Sequence, residues 1–188
     1  MRVLGIGGSS HDYAYCLLED GKIRIAIEEE RISREKHSNG SRSTAFNGID
    51  YCLKNCGITI NDVDIIVSNN CMTYYQFDKL YKKEVVYINH HLAHAASSYY
   101  TSGVYDSAIL ILDGLGDHIT TGHVETITKA YGLINTINVI DKKLGRLENI
   151  ITEASPNEII VNTNSLGTLY EIVTRMCGFS LYNEGKTM

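Results

Sequence analysis

Tryptophan is absent from this chain, proline occurs once, and none of the five cysteines stands in a CxxC pair. Without that spacing there is no zinc-ribbon or thioredoxin-like motif. Cys16, Cys52, Cys56, Cys71 and Cys177 are therefore expected to be buried thiols in a reducing cytoplasm. No apolar run exceeds the length of a strand, so no membrane-spanning helix is expected. Met1 leads directly into the short apolar run Val3 to Ile6, which is unlike a secretory signal. A basic excess is missing as well: 17 Lys+Arg stand against 22 Asp+Glu, a net charge of −5. General attraction to nucleic acid or to an acidic membrane is not expected, and any phosphate or nucleotide site has to be local. There is no internal repeat and no low-complexity segment.

What remains is a chain of 188 residues, 44% hydrophobic, enough for one domain with a real core or an elongated one with two sub-sheets. Its opening reads as three strands, Arg2 to Gly7, Tyr13 to Glu19 and Lys22 to Ile27, the last two joined by the hairpin signal Asp20-Gly21. A helix is predicted from about Ser43 to Asn55, capped by Ser41 or Ser43 and stopped at Gly57. Strands Val63 to Ser68 and Val85 to Ile88 follow, then a helix from His90 to about Thr101 and a buried strand Ser107 to Leu112. Beyond Asp117 the pattern weakens. Lys129 to Asn138 and Ile159 to Asn162 look like strands within a β-rich excursion over about 118–164. Ser165 caps a last helix, Leu166 to Met176, closed by Gly178. Antiparallel strands followed by alternating helices and strands predict an α/β fold, a mixed sheet with flanking helices.

Two segments carry chemistry. In His90-His91-Leu92-Ala93-His94-Ala95 the first and last histidines stand at i and i+4, which stacks both imidazoles on one helix face. His91 points about 100° away, toward a supporting or substrate-facing position. Downstream, the strand ending in Asp113-Gly114-Leu115-Gly116-Asp117 delivers a carboxylate where α/β sheets place functional groups. Two nitrogens and one oxygen suit a divalent metal, iron first, with manganese or zinc as alternatives. A polar helix start and an ordinary Asp-Gly turn fit the same residues. His11-Asp12 in the glycine-serine turn after the first strand is either a turn motif or a base near a phosphate. Glu28 to His37 reads as a solvated charged segment in which Lys36 could shape a substrate cleft. Ser165-Leu166-Gly167 opens a helix whose free amides could hold an anion.

Taken together, Gly5-Ile6-Gly7-Gly8-Ser9-Ser10-His11-Asp12, Ile27 to His37, His90 to Ser97, Leu112 to Asp117, Ser165 to Tyr170 and Glu184-Gly185-Lys186 resemble the amino-terminal part of the NodU/CmcH-type O-carbamoyltransferases. That resemblance implies an actin/hexokinase-like (ASKHA) lobe related to the tRNA-threonylcarbamoyl-transfer protein. It implies transfer of a carbamoyl group, through a carbamoyl-adenylate made from carbamoyl phosphate and ATP, to a hydroxyl of a sugar or antibiotic-like acceptor. His11 would be catalytic, and His90, His94 and Asp113 would hold the metal. Asp12, Lys36, His91, Gly114, Gly116, Ser165 and Gly167 would line the substrate and nucleotide site. Family members also carry a second lobe, a distal aspartate ligand and a YrdC-like domain. This chain is expected to stand without them and to act with a second-lobe polypeptide or as a homo-oligomer. The alternatives are a non-catalytic metal- or nucleotide-binding lobe and, less in keeping with two histidines at i, i+4, a sugar-kinase-like phosphotransferase.

Overall fold

The computed structural model describes residues 1–9, 11–38, 47–152 and 155–179, which fall into two compact units, Met1–Asn89 and His90–Met188. The capping serines expected at 41 or 43 and the Glu184-Gly185-Lys186 motif lie outside the described residues.

In the first unit, β1 (Arg2–Gly7), β2 (Ala14–Glu19) and β3 (Lys22–Glu28) form an antiparallel meander. Asp20 and Gly21 both adopt positive φ, 49° and 76°, the backbone that a tight hairpin between right-twisted strands needs. Two short helices follow, α1 (Glu29–Ser33) and α2 (Asn47–Asn55), and then β4 (Ile65–Asn69), α3 (Phe77–Tyr81) and β5 (Val85–Ile88). β4 pairs parallel to both β1 and β5, giving a mixed sheet of order β3-β2-β1-β4-β5. β4 starts two residues later than expected. Thr59 and Asp62 close a capping box around a 3₁₀ turn at Ile60–Asp62, and this turn delays the extended backbone.

Period-two alternation puts Leu4 and Ile6 of β1 and Tyr15 and Leu17 of β2 in the core with Ile66. α2 adds Ile49, Cys52 and Leu53, an i, i+3, i+4 stripe. Gly48 is required here, because a Cβ would lie 2.0 Å from the ring of Tyr15. Within the charged segment read as solvated, Glu29 is instead fully buried, and its Oε2 accepts the Gly48 amide at 3.1 Å. The cysteines are free thiols as expected, but of the five only Cys52 is buried; Cys16, Cys56 and Cys71 are partly buried and Cys177 is exposed. Burial pushes the Cys52 thiol up to about 11.

The second unit contains α4 (His90–Ser102), β6 (Asp106–Leu112), β7 (His118–Thr120), β8 (His123–Leu133), β9 (Thr136–Thr152), β10 (Ser155–Asn162) and α5 (Leu166–Met176). Its sheet runs β10-β9-β8-β6, with β7 paired to β8, and every pairing is antiparallel. The strand expected over Lys129 to Asn138 is in fact the end of β8, a turn and the start of β9. Ile134 adopts φ 56° in that turn, with its amide bonded to the Tyr105 carbonyl at 2.7 Å. A β-branched residue in the left-handed region is rare, so the turn carried no local signal. β6, expected to be a buried strand, is buried on one face only. Ile109 and Ile111 are buried, whereas Leu110 and Leu112 are exposed.

Candidate metal centre and a second histidine cluster

α4 begins at His90, whose amide donates to Asp117 Oδ2 at 3.1 Å, so a buried carboxylate serves the orphan donors of the helix start. One turn later His94 stacks over it. The two Nε2 atoms are 3.0 Å apart, with the rings edge to face. Asp113, at the end of β6, brings Oδ2 to 3.1 Å from His90 Nε2 and 4.0 Å from His94 Nε2. Ligand atoms bonded to one transition metal at about 2.0–2.2 Å lie about 3–3.5 Å from each other, so this spacing fits a shared ion.

A further observation supports that fit. Asp113 Oδ2 is buried and makes no hydrogen bond of good geometry among the described residues, although imidazole nitrogens surround it. Partial burial raises the Asp113 carboxyl, but the His90 and His91 rings and the nearby His94 outweigh it and hold the group well below the usual carboxylate range. Burial and the neighbouring His90 lower His94, which favours the neutral, ligating imidazole. Side-chain exposure rises from 12% at His90 and 21% at Asp113 to 52% at His94, so the cluster opens to solvent on the His94 side. Two imidazoles and one carboxylate with an open side suit iron, manganese or zinc.

The remaining residues expected around this centre hold it up. His91 is fully buried, which removes it from a substrate-facing position. Its Nδ1 lies 2.7 Å from Thr128 Oγ1 and its Nε2 lies 3.4 Å from Asp113 Oδ2. A Cβ on Gly116 would stand 2.5 Å from that Nε2. The Gly114 amide donates to Asp113 Oδ1 at 2.6 Å. Ser165 caps α5 by accepting the Thr168 amide at 3.1 Å, and its hydroxyl lies 2.9 and 3.1 Å from the carbonyls of Asp113 and Gly114. A Cβ on Gly167 would come within 2.6 Å of Gly114 Cα, so glycine lets the first turn of α5 sit on the Asp113-Gly114 turn. Asn162 and Thr128 take part in this framework and carried no motif, and Asp117, the last residue of the Asp113 motif, carried no role of its own. Only their pairing across strands and turns reveals them.

His11, Asp12 and Lys36 belong to the first unit. Asp12, at φ 55°, accepts from two imidazoles: His11 Nδ1 at 2.7 Å on Oδ2 and His37 Nδ1 at 3.1 Å on Oδ1. His37 went unremarked in the sequence, where it was only the end of a charged run. Lys36 is exposed and forms no ion pair among the described residues.

Comparison with known proteins follows the same lines. The family model described as "Carbamoyltransferase N-terminus" matches residues 2–76 and 70–188. Nodulation protein NolNO of Sinorhizobium fredii is 28% identical over 209 residues, covering 95% of this chain and 27% of its own length. Protein sll1178 of Synechocystis sp. is 31% identical over 164 residues, or 63% of this chain and 26% of its own. The chain thus spans about a quarter of the length of these curated relatives. Among solved structures, YeaZ from Pseudomonas aeruginosa superposes with a TM-score of 0.53 at 11% identity, over 86% of this chain and 69% of YeaZ. HypF in its phosphate- and nucleotide-bound form gives 0.52 at 18% identity, over 74% of this chain and 21% of HypF. The fold is therefore of the actin/hexokinase-like class. No helix among the described residues is long and apolar enough to cross a membrane.

Proposed function

Because the chain belongs to the carbamoyltransferase amino-terminal family, we propose that it serves carbamoyl transfer to a hydroxyl acceptor at a divalent-metal site held by His90, His94 and Asp113. The observation that carries this reading is the convergence of two Nε2 atoms and a buried Oδ2 within 4.8 Å of one another. When bound, an iron, manganese or zinc ion supplies Lewis acidity to polarise a carbonyl oxygen. The chain's own groups orient that ion: Oδ1 of Asp113 is tied to the Gly114 amide, leaving Oδ2 to face the imidazoles. His11, oriented by Asp12, is the group proposed to accept the proton of an acceptor hydroxyl through Nε2.

Carbamoyl phosphate and ATP are the proposed sources of a carbamoyl-adenylate, with a sugar or antibiotic-like alcohol as acceptor. The nucleotide-bound form of HypF, which shares the fold class, supports ATP as a substrate. Exposed apolar side chains on β6 and α5, such as Leu110, Leu112, Leu169 and Met176, support a working arrangement with a second-lobe polypeptide or a second copy of the chain.

The test supplies the purified chain with iron, manganese or zinc, ATP, radiolabelled carbamoyl phosphate and a panel of sugar and polyol acceptors. Metal-dependent label in an alcohol, lost in His90→Ala and Asp113→Ala, is the expected result. Stoichiometric metal binding with no transfer, even with a longer relative's remaining domains added, would favour a non-catalytic metal-binding lobe instead.

A further inference from the structure

His91 is the one histidine of α4 that does not converge on the ligand cluster, yet it is the most deeply buried. A polar ring of that size is rarely sealed in an interior without fixed partners. On one side Nδ1 meets Thr128 Oγ1 at 2.7 Å, and beyond it lies the carboxylate of Glu125, fully buried and paired with Lys142. On the other side Nε2 faces Asp113 Oδ2 at 3.4 Å. A bare nitrogen lone pair against a carboxylate oxygen would be repulsive, so the ring carries a proton on Nε2, while Nδ1 shares a hydrogen bond with the threonine hydroxyl and lies 4.0 Å from Glu125 Oε2. The chain makes room for this ring: position 116 is glycine, where any Cβ would stand 2.5 Å from Nε2 and 3.0 Å from the Cβ of Glu125.

We propose that His91 is a positioning residue: its Nε2–H, 3.4 Å from Oδ2 and without a hydrogen bond of good geometry among the described residues, and the Gly114 amide on Oδ1 flank the Asp113 carboxylate, so that Asp113 would ligate a metal through Oδ2. Oδ1 is engaged by the Gly114 amide at 2.6 Å, with the Leu115 amide at 3.4 Å, which disfavours its joining a bidentate bond. A carboxylate confined to one oxygen suits the small coordination shell of a transition metal better than the large bidentate shell of calcium. Thr128 and Gly116 are then part of the same device, one fixing the ring's orientation and the other its place. This inference rests on the metal-site reading above.

Cobalt(II) tests it, read by calorimetry and by its visible ligand-field bands in the full chain. The wild type is expected to bind one equivalent and His90→Ala to lose it. His91→Leu and Gly116→Ala should each weaken cobalt about 10–100-fold and shift the bands, the loss typical of removing a group that orients a ligand. His91→Gln, which keeps an N–H donor toward Asp113, should recover most of the affinity. Tyr99→Phe is the structural control. It removes that hydroxyl's hydrogen bonds to the Tyr105 and Ile134 carbonyls elsewhere on α4, and should leave both readouts unchanged. If His91→Leu and Gly116→Ala bind cobalt with wild-type affinity and bands while His90→Ala does not, the positioning role is wrong and the metal site stands. If the wild type itself binds no cobalt, the metal-site reading fails and takes this inference with it.

Discussion

In Met1–Asn89 the interior is built from apolar side chains in phase, Leu4, Ile6, Tyr15, Leu17 and Ile66 from the sheet and Ile49 and Leu53 from α2. In His90–Met188 the fully buried positions include His91, Glu125 and Thr126, while Leu110, Leu112, Leu166 and Leu169 remain exposed. Among the described residues its apolar cluster comprises Ala95, Tyr99, Ile109, Ile111 and Ala130, with Ile137 packed against it. The first unit is therefore held mainly by burial of hydrocarbon, which is tolerant of small changes in direction. The second depends more on hydrogen bonds between fixed partners, which are costly if broken but orient a carboxylate beside two imidazoles.

The largest effect that could break this contrast is at the metal cluster. Replacing His90, His94 or Asp113 with alanine should weaken metal binding by more than the ~100-fold that marks the loss of a supporting group. Chelation should lower the melting temperature of the wild type and leave the variants unmoved. Metal content by mass spectrometry with thermal melts decides it, and wild-type binding by the Asp113 variant would count against the cluster.

Next come the cores. Leu4→Ala or Ile66→Ala should cost about 2–5 kcal/mol, as in a close-packed interior. Ile109→Ala, on a strand whose other face is exposed, should stay near or below ~2 kcal/mol. Urea unfolding measures both, and equal losses would mean that the two interiors are alike.

Ser165→Ala comes third, at about 1 kcal/mol for a lost cap. Because the same hydroxyl reaches the carbonyls of Asp113 and Gly114, metal affinity should fall with it. A melt that drops with no change in affinity would show that the cap serves its own helix only.

The smallest effect sharpens the comparison of carboxylates. Partial burial raises Asp12, but hydrogen bonds from His11 and His37 lower it further, leaving it below the usual carboxylate range. A carboxylate depressed in the fold stabilises it above the unfolded value of about 4, and that contribution is lost as pH falls through the depressed value. Half-exposed, it should show as a modest loss of stability on acidification below that point. NMR of the Asp12 carboxyl carbon should give a low midpoint that returns toward normal in the His11→Gln/His37→Gln pair. A midpoint indifferent to both substitutions would remove the imidazoles as its cause.

Local chemistry was enough to write down β1, the Asp20-Gly21 hairpin, the bounds of β5 and α5, and the i, i+4 pairing of His90 with His94, because strand alternation, turn residues, caps and the 3.6-residue period act over a few neighbours. Tertiary structure alone decided the rest. The turn at Ile134 is set by the Tyr105 carbonyl, 29 positions away in the chain, against the residue's own preference. The β6–β8 register sets Ile111 opposite Thr128, and Thr128 then meets the buried His91 of α4. Ser165 reaches back 52 positions to the Asp113 carbonyl. His37 shares Asp12 with His11 because a strand meander and a short helix bring the two loops together. Each of these depends on which backbone groups are left to pair once strands are in register, and short-range periodicity carries no information about that.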